Sequence, residues 1–264
     1  MIFAPGIFDG NTALVTGGGT GIGRQVALLL ARSGARVAIA SRKKENLEGT
    51  AKELSDIAGP DRVFHQPCDI REPEQIAALV EAVMAKLGPV DLLVNNAGGQ
   101  FPSPAERITP KGWDAVIRNN LNGTFYMTRE VATRCMIPNR RGKIVNVTAQ
   151  VFRGFPGMAH TGAARAGVEN MTMTLAIEWA QHRITVNAVA PGVIKSSGTA
   201  KYIPELVEMG RQKTPLKRLG TEEEVAASIV YLLSPAADFV TGATLYIDGG
   251  ARLWGENWPI PEPR

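Results

Sequence analysis

The sequence holds little material for cross-links or metal binding: two cysteines, Cys68 and Cys135, and three histidines among 264 residues. Two cysteines so placed give no disulfide framework, and reduced core thiols are the expectation. No His/Cys cluster has metal-ligand spacing, so no metal site is expected. No apolar run approaches the ~20 residues that cross a bilayer, so no membrane association is expected. Met1-Ile-Phe-Ala-Pro-Gly6 lacks the basic and apolar regions of a signal peptide, and Pro261-Glu-Pro-Arg264 is not a peroxisomal tripeptide. Cytoplasm is the default location. Charge of one sign is nowhere concentrated: the net charge is +4 with the basic residues spread out. That argues against a nucleic-acid groove and suits a small anionic partner.

Among what is present, one stretch organises the rest: Thr16-Gly17-Gly18-Gly19-Thr20-Gly21-Ile22-Gly23. It follows the apolar run Thr12-Ala-Leu-Val15 and opens a helical segment from Arg24 to Arg32. Glycines let the backbone turn tightly and approach a pyrophosphate, and the helix start then holds the anion. The context repeats along the chain. Strand-like runs are centred on residues 36–40, 62–64, 90–94, 143–147, 183–189 and 243–247. Helical patterns fall between them at 43–57, 73–87, 110–136 and 158–181, with a capped helix from Thr221-Glu-Glu-Glu224 to Leu233. Strand–helix alternation with short links predicts one α/β domain over 1–264, a doubly wound Rossmann fold with about seven parallel strands. The long irregular insertion at 195–219 lies where loops border the ligand crevice of such sheets, and it is expected to act as a substrate lid.

An acidic residue about 20 positions after the turn would bind the ribose 2′-hydroxyl of NAD. The second strand ends instead in Ser41-Arg42-Lys43-Lys44. Cations at a helix start oppose its dipole, at a cost of about 0.3–1 kcal/mol each. A solvated basic face is one origin of such a run; a bound 2′-phosphate removes the conflict altogether. NADP(H) is therefore the expected cofactor, with Arg42 the main contact and Ser41 or Lys43 assisting.

With these residues in view, the chain resembles the short-chain dehydrogenase/reductase family over nearly its whole length. The matching pieces are Thr16–Gly23, Cys68-Asp-Ile70, Asn95-Asn-Ala-Gly98, Asn120-Leu121, Pro191-Gly-Val-Ile194 and Asp248-Gly-Gly250. The resemblance implies that Asp69, beside Ile70, contacts the adenine and that Asn96, Ala97 and Gly98 line the cofactor groove. It also implies that Pro191, Gly192, Val193, Ile194 and Ser196 border the nicotinamide. Three stretches look closer still to trans-2-enoyl-CoA reductases of peroxisomal type and, more distantly, to 2,4-dienoyl-CoA reductases. They are Asn95 to Pro104, Gly154-Phe-Pro-Gly157 and His160 to Val168. The family likeness further implies a homotetramer packed through helices near 110–137 and 158–181. Trp254 and Trp258, beyond the last strand, are expected to dock on a neighbouring subunit or cover its active site.

One departure carries the chemistry. Most of the family has Tyr-x-x-x-Lys preceded by a serine; alignment places Thr161 at the tyrosine, Arg165 at the lysine and Thr148 at the serine. Asn120, the fourth member, is kept. An alcohol or ketone reaction needs a proton carrier of suitable pKa, which an alkyl hydroxyl and an arginine are not. Reduction of a C=C bond conjugated to a thioester instead builds charge on the thioester oxygen and calls for hydrogen-bond donors aimed at it. Thr148 can donate, and Arg165 can hold the cofactor ribose without shuttling protons. His160 adjoins Thr161, but helix neighbours point about a quarter-turn apart, so a packed or surface histidine is expected. Gln100, Phe101 and Phe155, with Phe152, are candidates for the acyl and thioester contacts. Lys195, Lys201, Arg211, Lys213, Lys217 and Arg218 are candidates for the phosphates of CoA, or form a solvated basic loop.

The expected function is NADPH-dependent reduction of trans-2-enoyl-CoA thioesters. Two alternatives stand beside it. One is an alcohol or aldehyde oxidoreductase, on acyclic terpenoids such as citronellol or citronellal. The other is a non-catalytic NADPH-binding protein.

Overall fold

The computed structural model describes residues 3–195, 204–253 and 260–262. Its strands are β1 (Thr12–Thr16), β2 (Arg36–Ser41), β3 (Val63–Pro67), β4 (Leu92–Asn95), β5 (Gly142–Val147) and β6 (Ile184–Pro191). Two short strands, β7 (Ile194–Lys195) and β8 (Gly220–Thr221), pair with each other, and β9 (Thr244–Ile247) completes the main sheet. That sheet is parallel, seven-stranded and ordered β3-β2-β1-β4-β5-β6-β9. β1 pairs with β2 on one side and β4 on the other, so the chain reverses its winding there. Ligands of open α/β sheets bind outside the strand ends at such a point.

Side chains alternate across β1: Ala13 and Val15 face one layer, Leu14 the other. The first layer is α1 (Gly21–Arg32), α2 (Lys44–Ala58) and the later α9 (Glu222–Leu233); α3 (Pro73–Leu87) lies on the other. Both faces are covered, which is why the strands read as continuous apolar runs rather than alternating ones. Pro67, unable to donate to a ladder, lies on the edge strand β3.

The expected single helix over 110–136 is a broken one. It comprises α4 (Pro110–Ile117), α5 (Gly123–Val131) and α6 (Ile137–Asn139), joined by π turns at Arg118–Asn122 and Ala132–Met136. In the first turn Asn120 Nδ2 donates to Val116 O at 2.9 Å, taking a carbonyl that the helix ladder would use. Pro138, just past the second, has no N–H to return to Arg134 O. α7 (Ala159–Glu178) then packs on β6 and on the α5 side.

The insertion is also more regular than the sequence suggests. It contains α8 (Pro204–Gln212), while residues 196–203 lie outside the described residues. Pro204 at the start, Glu205 in the first turn and Arg211 in the last suit a helix dipole.

α9 carries a full capping box: Thr221 Oγ1 accepts from Glu224 N at 3.2 Å, and Glu224 Oε2 accepts from Thr221 N at 2.9 Å. Thr221→Ala should cost about 1 kcal/mol, read as a lower urea midpoint at unchanged m. The Arg218 guanidinium and the Thr221 amide hold the Glu224 carboxyl down to about 2. Because that pKa is depressed, the stabilisation is intact at neutral pH and fades only as pH drops from ~4.3 toward that value.

Both cysteines are buried and free, and burial pushes the Cys68 thiol up to about 11, so both stay protonated. Among the described residues no helix is long and apolar enough to cross a membrane, and no three His, Cys, Asp or Glu gather.

Candidate active site

The turn after β1 closes too tightly for side chains. A Cβ on Gly17 would lie 2.6 Å from Asn96 Nδ2, and one on Gly23 would lie 2.4 Å from Gly17 O. One on Gly19 would meet Asn46 O at 2.9 Å. Thr16 ties the turn to β4: its Oγ1 accepts from Asn96 N and Ala97 N, both at 3.0 Å. α1 then begins at Gly21 with no side chain capping it and no acidic residue in its first turn. Its orphan amides suit an anion. Ile22 packs back onto the core.

A cleft of about 360 Å³ opens beside this turn. Gly17 and Thr20 form its floor, Ser41, Arg42 and Lys43 one end, and Asp69 with Ile70 a side wall. Asn96, Ala97 and Gly98 form the other wall. Ten of the residues expected from the sequence thus meet in one place. The basic run divides: Arg42 and Lys43 line the cleft, while Lys44 turns to Glu48 at 3.5 Å. Arg71 clasps Asp69, with Nε 2.9 Å from Oδ1, and this fork more than any other contact holds the Asp69 carboxyl below its usual range. Asn46 and Asn119 also line the cleft; no sequence motif marks either, since helix packing alone brings them there.

Farther along, α7 supplies a buried group. Arg165 is 8% exposed, with Nη1 donating to Val147 O at 2.8 Å and Nε without a partner. A Cβ on Gly98 would lie 2.5 Å from Arg165 Nη2 and 2.7 Å from Asn120 Oδ1. The guanidinium therefore abuts the cleft wall. Burial pulls it down to about 10, leaving it charged at neutral pH. The four-residue helical spacing sets Thr161 one turn away, and Thr161 is fully buried.

Two features differ from expectation. His160 and Thr161 meet despite being helix neighbours: His160 Nδ1 accepts from Thr161 N at 2.8 Å and lies 3.3 Å from Thr161 Oγ1. The helix begins at Ala159, so the histidine side chain folds back over its own first turn. Its ring is packed edge-on against Phe101, centroids 4.6 Å apart. Asn120, in turn, is wholly engaged with backbone. Its amide donates to Gly99 O at 2.7 Å and Val116 O at 2.9 Å and accepts from Gly99 N at 3.2 Å. That clamps the Gly98–Gly99 wall.

Thr148 follows β5 directly, 5% exposed, with Oγ1 3.0 Å from Val189 O and 3.2 Å from Glu169 Oε1. Glu169 is a half-buried acid that the sequence reading passed over. Its signal was the four-residue step from Thr161 through Arg165 along one helix.

Other expected contacts lie outside the cleft. Pro191 ends β6, Gly192 abuts Asp248 Cα, Val193 is exposed and Ile194 buried. Ser196, Lys201, Trp254 and Trp258 lie outside the described residues. Gln100 is exposed, Phe101 is 40% exposed and Phe152 64%, and Phe155 is half-buried beside Gly162. Of the basic residues near the insertion, Arg211 is paired with Glu208 and Glu262, and Arg218 with Glu224. Neither presents an unpaired cation.

A glycine turn at the winding reversal, an uncapped helix start and a cleft with cations at one end fit a nicotinamide dinucleotide. They define an oxidoreductase of the Rossmann class. More particularly, the chain belongs to the short-chain dehydrogenase/reductase family, whose members use NAD(P)H. Residues 17–252 match the family model described as Enoyl-(Acyl carrier protein) reductase. A Bacillus subtilis protein named as a probable 2,4-dienoyl-CoA reductase is 38% identical over 248 residues, 92% of this chain and 97% of its own length. A Thermotoga maritima 3-oxoacyl-[acyl-carrier-protein] reductase is 41% identical over 243 residues, covering 92% and 98%. Among solved structures, a Pseudomonas aeruginosa protein titled citronellol catabolism dehydrogenase superposes with TM-score 0.85 at 49% identity, covering 95% of this chain and 98% of its own.

Proposed function

We propose that this protein is an NADPH-dependent reductase of the C=C bond in trans-2-enoyl-CoA thioesters. The observation that carries this reading is a buried guanidinium, Arg165, with a backbone carbonyl on Nη1 and no partner on Nε, beside a threonine where the family's phenol would stand. The Thr161 hydroxyl is occupied with His160, so no acid of the tyrosine type faces the cleft from that position. NADPH, when bound, supplies the hydride. The chain's own residues then have two tasks: holding the cofactor and stabilising charge on the thioester oxygen.

The Gly17–Gly23 turn and the start of α1 hold the pyrophosphate, Arg42 and Lys43 the 2′-phosphate, and Asp69 the adenine. Arg165 orients the ribose and places a fixed positive charge where negative charge develops; Thr148 donates to the same oxygen. Fixed donors of this kind act strongly in a water-poor site. The dienoyl-CoA reductase name of a relative agrees with this chemistry. The homotetramer expected of the family would cover Met173 and Ile177, left exposed on α7; gel filtration tests that assembly.

The test is a spectrophotometric assay of NADPH oxidation across enoyl-CoA, dienoyl-CoA, ketone and aldehyde substrates. Turnover of crotonyl- to decenoyl-CoA with little ketone reduction is expected. Ready ketone reduction with enoyl-CoA untouched would sink the reading. Cofactor choice has its own prediction. Arg42→Ala removes a charge-assisted contact of about 1.5–3 kcal/mol, so KM for NADPH should rise about tenfold to a hundredfold while KM for NADH barely moves.

A second reading, oxidation of a terpenoid alcohol, is favoured by the likeness to the structure titled citronellol catabolism dehydrogenase. Alcohol-dependent reduction of NADP⁺ would support it.

A further inference from the structure

The Thr148 hydroxyl has more acceptors around it than protons to give. Val189 O lies 3.0 Å from its Oγ1 and Glu169 Oε1 lies 3.2 Å away. A carbonyl oxygen only accepts, an ionised carboxylate only accepts, and a threonine hydroxyl has one proton. With Glu169 ionised, the single Thr148 proton is shared between two acceptors or given to one of them; each contact has a proton of its own when Glu169 is protonated and donates to Thr148 Oγ1. The Tyr246 phenol, from β9, also acts on this carboxyl. With Glu169 protonated, the hydroxyls form a chain pointing one way, from Glu169 through Thr148 to Val189 O.

From this geometry we propose that Glu169 works as a protonated carboxyl that sets Thr148 as a hydrogen-bond donor, toward Val189 O at rest and toward the substrate oxygen in turnover. Glu169 is a positioning residue, acting only through Thr148. Once ionised, it would draw the single Thr148 proton to itself and remove the donor from the site. No bond is made or broken in this role; what changes is the direction of one hydroxyl.

The surroundings agree. Glu169 is half-buried on the same helix as Arg165, one turn on, and Arg165 Nη1 donates to Val147 O rather than to the Glu169 carboxyl. Burial raises the Glu169 carboxyl above its ordinary value, and the Thr148 and Tyr246 hydrogen bonds pull the other way. On the β9 side, Arg252 lies over the Tyr246 ring, 4.2 Å from its centroid, and Asp248 acts on the same phenol.

The substrate half of this inference rests on the enoyl-thioester reading; the proton count does not. Two measurements separate them. Infrared difference titration of the full-length protein should show the C=O stretch of a protonated carboxyl that disappears with a midpoint above the ~4.3 of an ordinary glutamate. Glu169→Gln should lack the band, and Thr148→Val should shift it. In the crotonyl-CoA assay, wild-type kcat should fall as pH rises through that same midpoint. Glu169→Gln keeps an N–H for Thr148 at every pH, so it should retain kcat within about threefold and lose the pH limb. Glu169→Ala should lose about tenfold or more at all pH values, as for a misdirected oxyanion donor, with KM for NADPH unchanged. Persistence of the limb in Glu169→Gln, or a wild-type carboxyl titrating in the ordinary range, overturns the proposal. Absence of enoyl-CoA turnover in every form would instead refute the substrate reading, and the infrared titration would still decide the protonation of Glu169.

Discussion

Arg165→Met should leave the fold at least as stable as the parent while cutting kcat/KM for NADPH-dependent turnover by about 10²–10³. The two effects have one origin. Arg165 is buried with a single carbonyl partner at Nη1, no partner at Nε, and no carboxylate paired with it among the described residues. A buried guanidinium normally needs a partner to offset its lost hydration. Burial accordingly pulls this one down to about 10. The sign follows: the native state holds this proton less tightly than the unfolded chain, so the group opposes folding at neutral pH. That opposition is relieved only as pH rises past about 10. Methionine fills similar volume without charge, and apolar replacements of buried ions are often neutral or stabilising. In the proposed function the missing partner is the bound cofactor and the oxygen that gains charge, which is why removal should hurt turnover. Urea melts and steady-state kinetics on the same preparation test both halves. A large loss of stability with activity intact would show Arg165 to be a structural strut.

Much of this architecture is legible in the residue order. Pro73 and Leu87 bound α3 as the periodicity suggests, and Thr221 with Glu224 caps α9 as their spacing requires. The glycine turn is legible because its requirement is steric and local. The π turns of the long helix are not, since Asn120 has the same helical spacing whether or not its amide takes Val116 O. Nor is α8, which lies inside a stretch that the sequence presents as one long irregular insertion. The site divides the same way. Gly17, Arg42 and Asp69 announce themselves by position in a motif. Glu169 reaches Thr148 across 21 residues only because α7 packs against the end of β5. Side-chain partnerships between elements are set by helix rotation and depth, and no local pattern encodes those. His160 shows the same limit at short range: helical geometry separates it from Thr161, yet a ring at the first turn folds back to meet it.

Gly23→Ala should raise the Kd for NADPH about a hundredfold, whereas Gly21→Ala, two residues earlier, should do far less. Alanine is the better helix former by about 1 kcal/mol, so propensity alone would favour both changes. Sterics decide otherwise at Gly23. Its Cβ would sit 2.4 Å from Gly17 O and 2.5 Å from Asn96 Nδ2, with the Gly17 carbonyl carbon at 2.9 Å. Two of those three atoms are backbone of the very turn proposed to wrap the pyrophosphate, so relief requires that turn itself to open. At Gly21 the nearest atom is Glu222 Oε1 at 3.5 Å, an ordinary contact, and the cost is that of a positive φ of 59°. For a non-glycine residue that amounts to about 1–2 kcal/mol, carried by the fold more than by the ligand. The readout is the rise in Tm on adding saturating NADPH, which reports affinity for the native state. Wild type and Gly21→Ala should both show it, and Gly23→Ala should not. If Gly23→Ala melts with the full ligand-induced rise, the anion is held elsewhere, and the start of α1 is an uncapped helix end with no cofactor upon it.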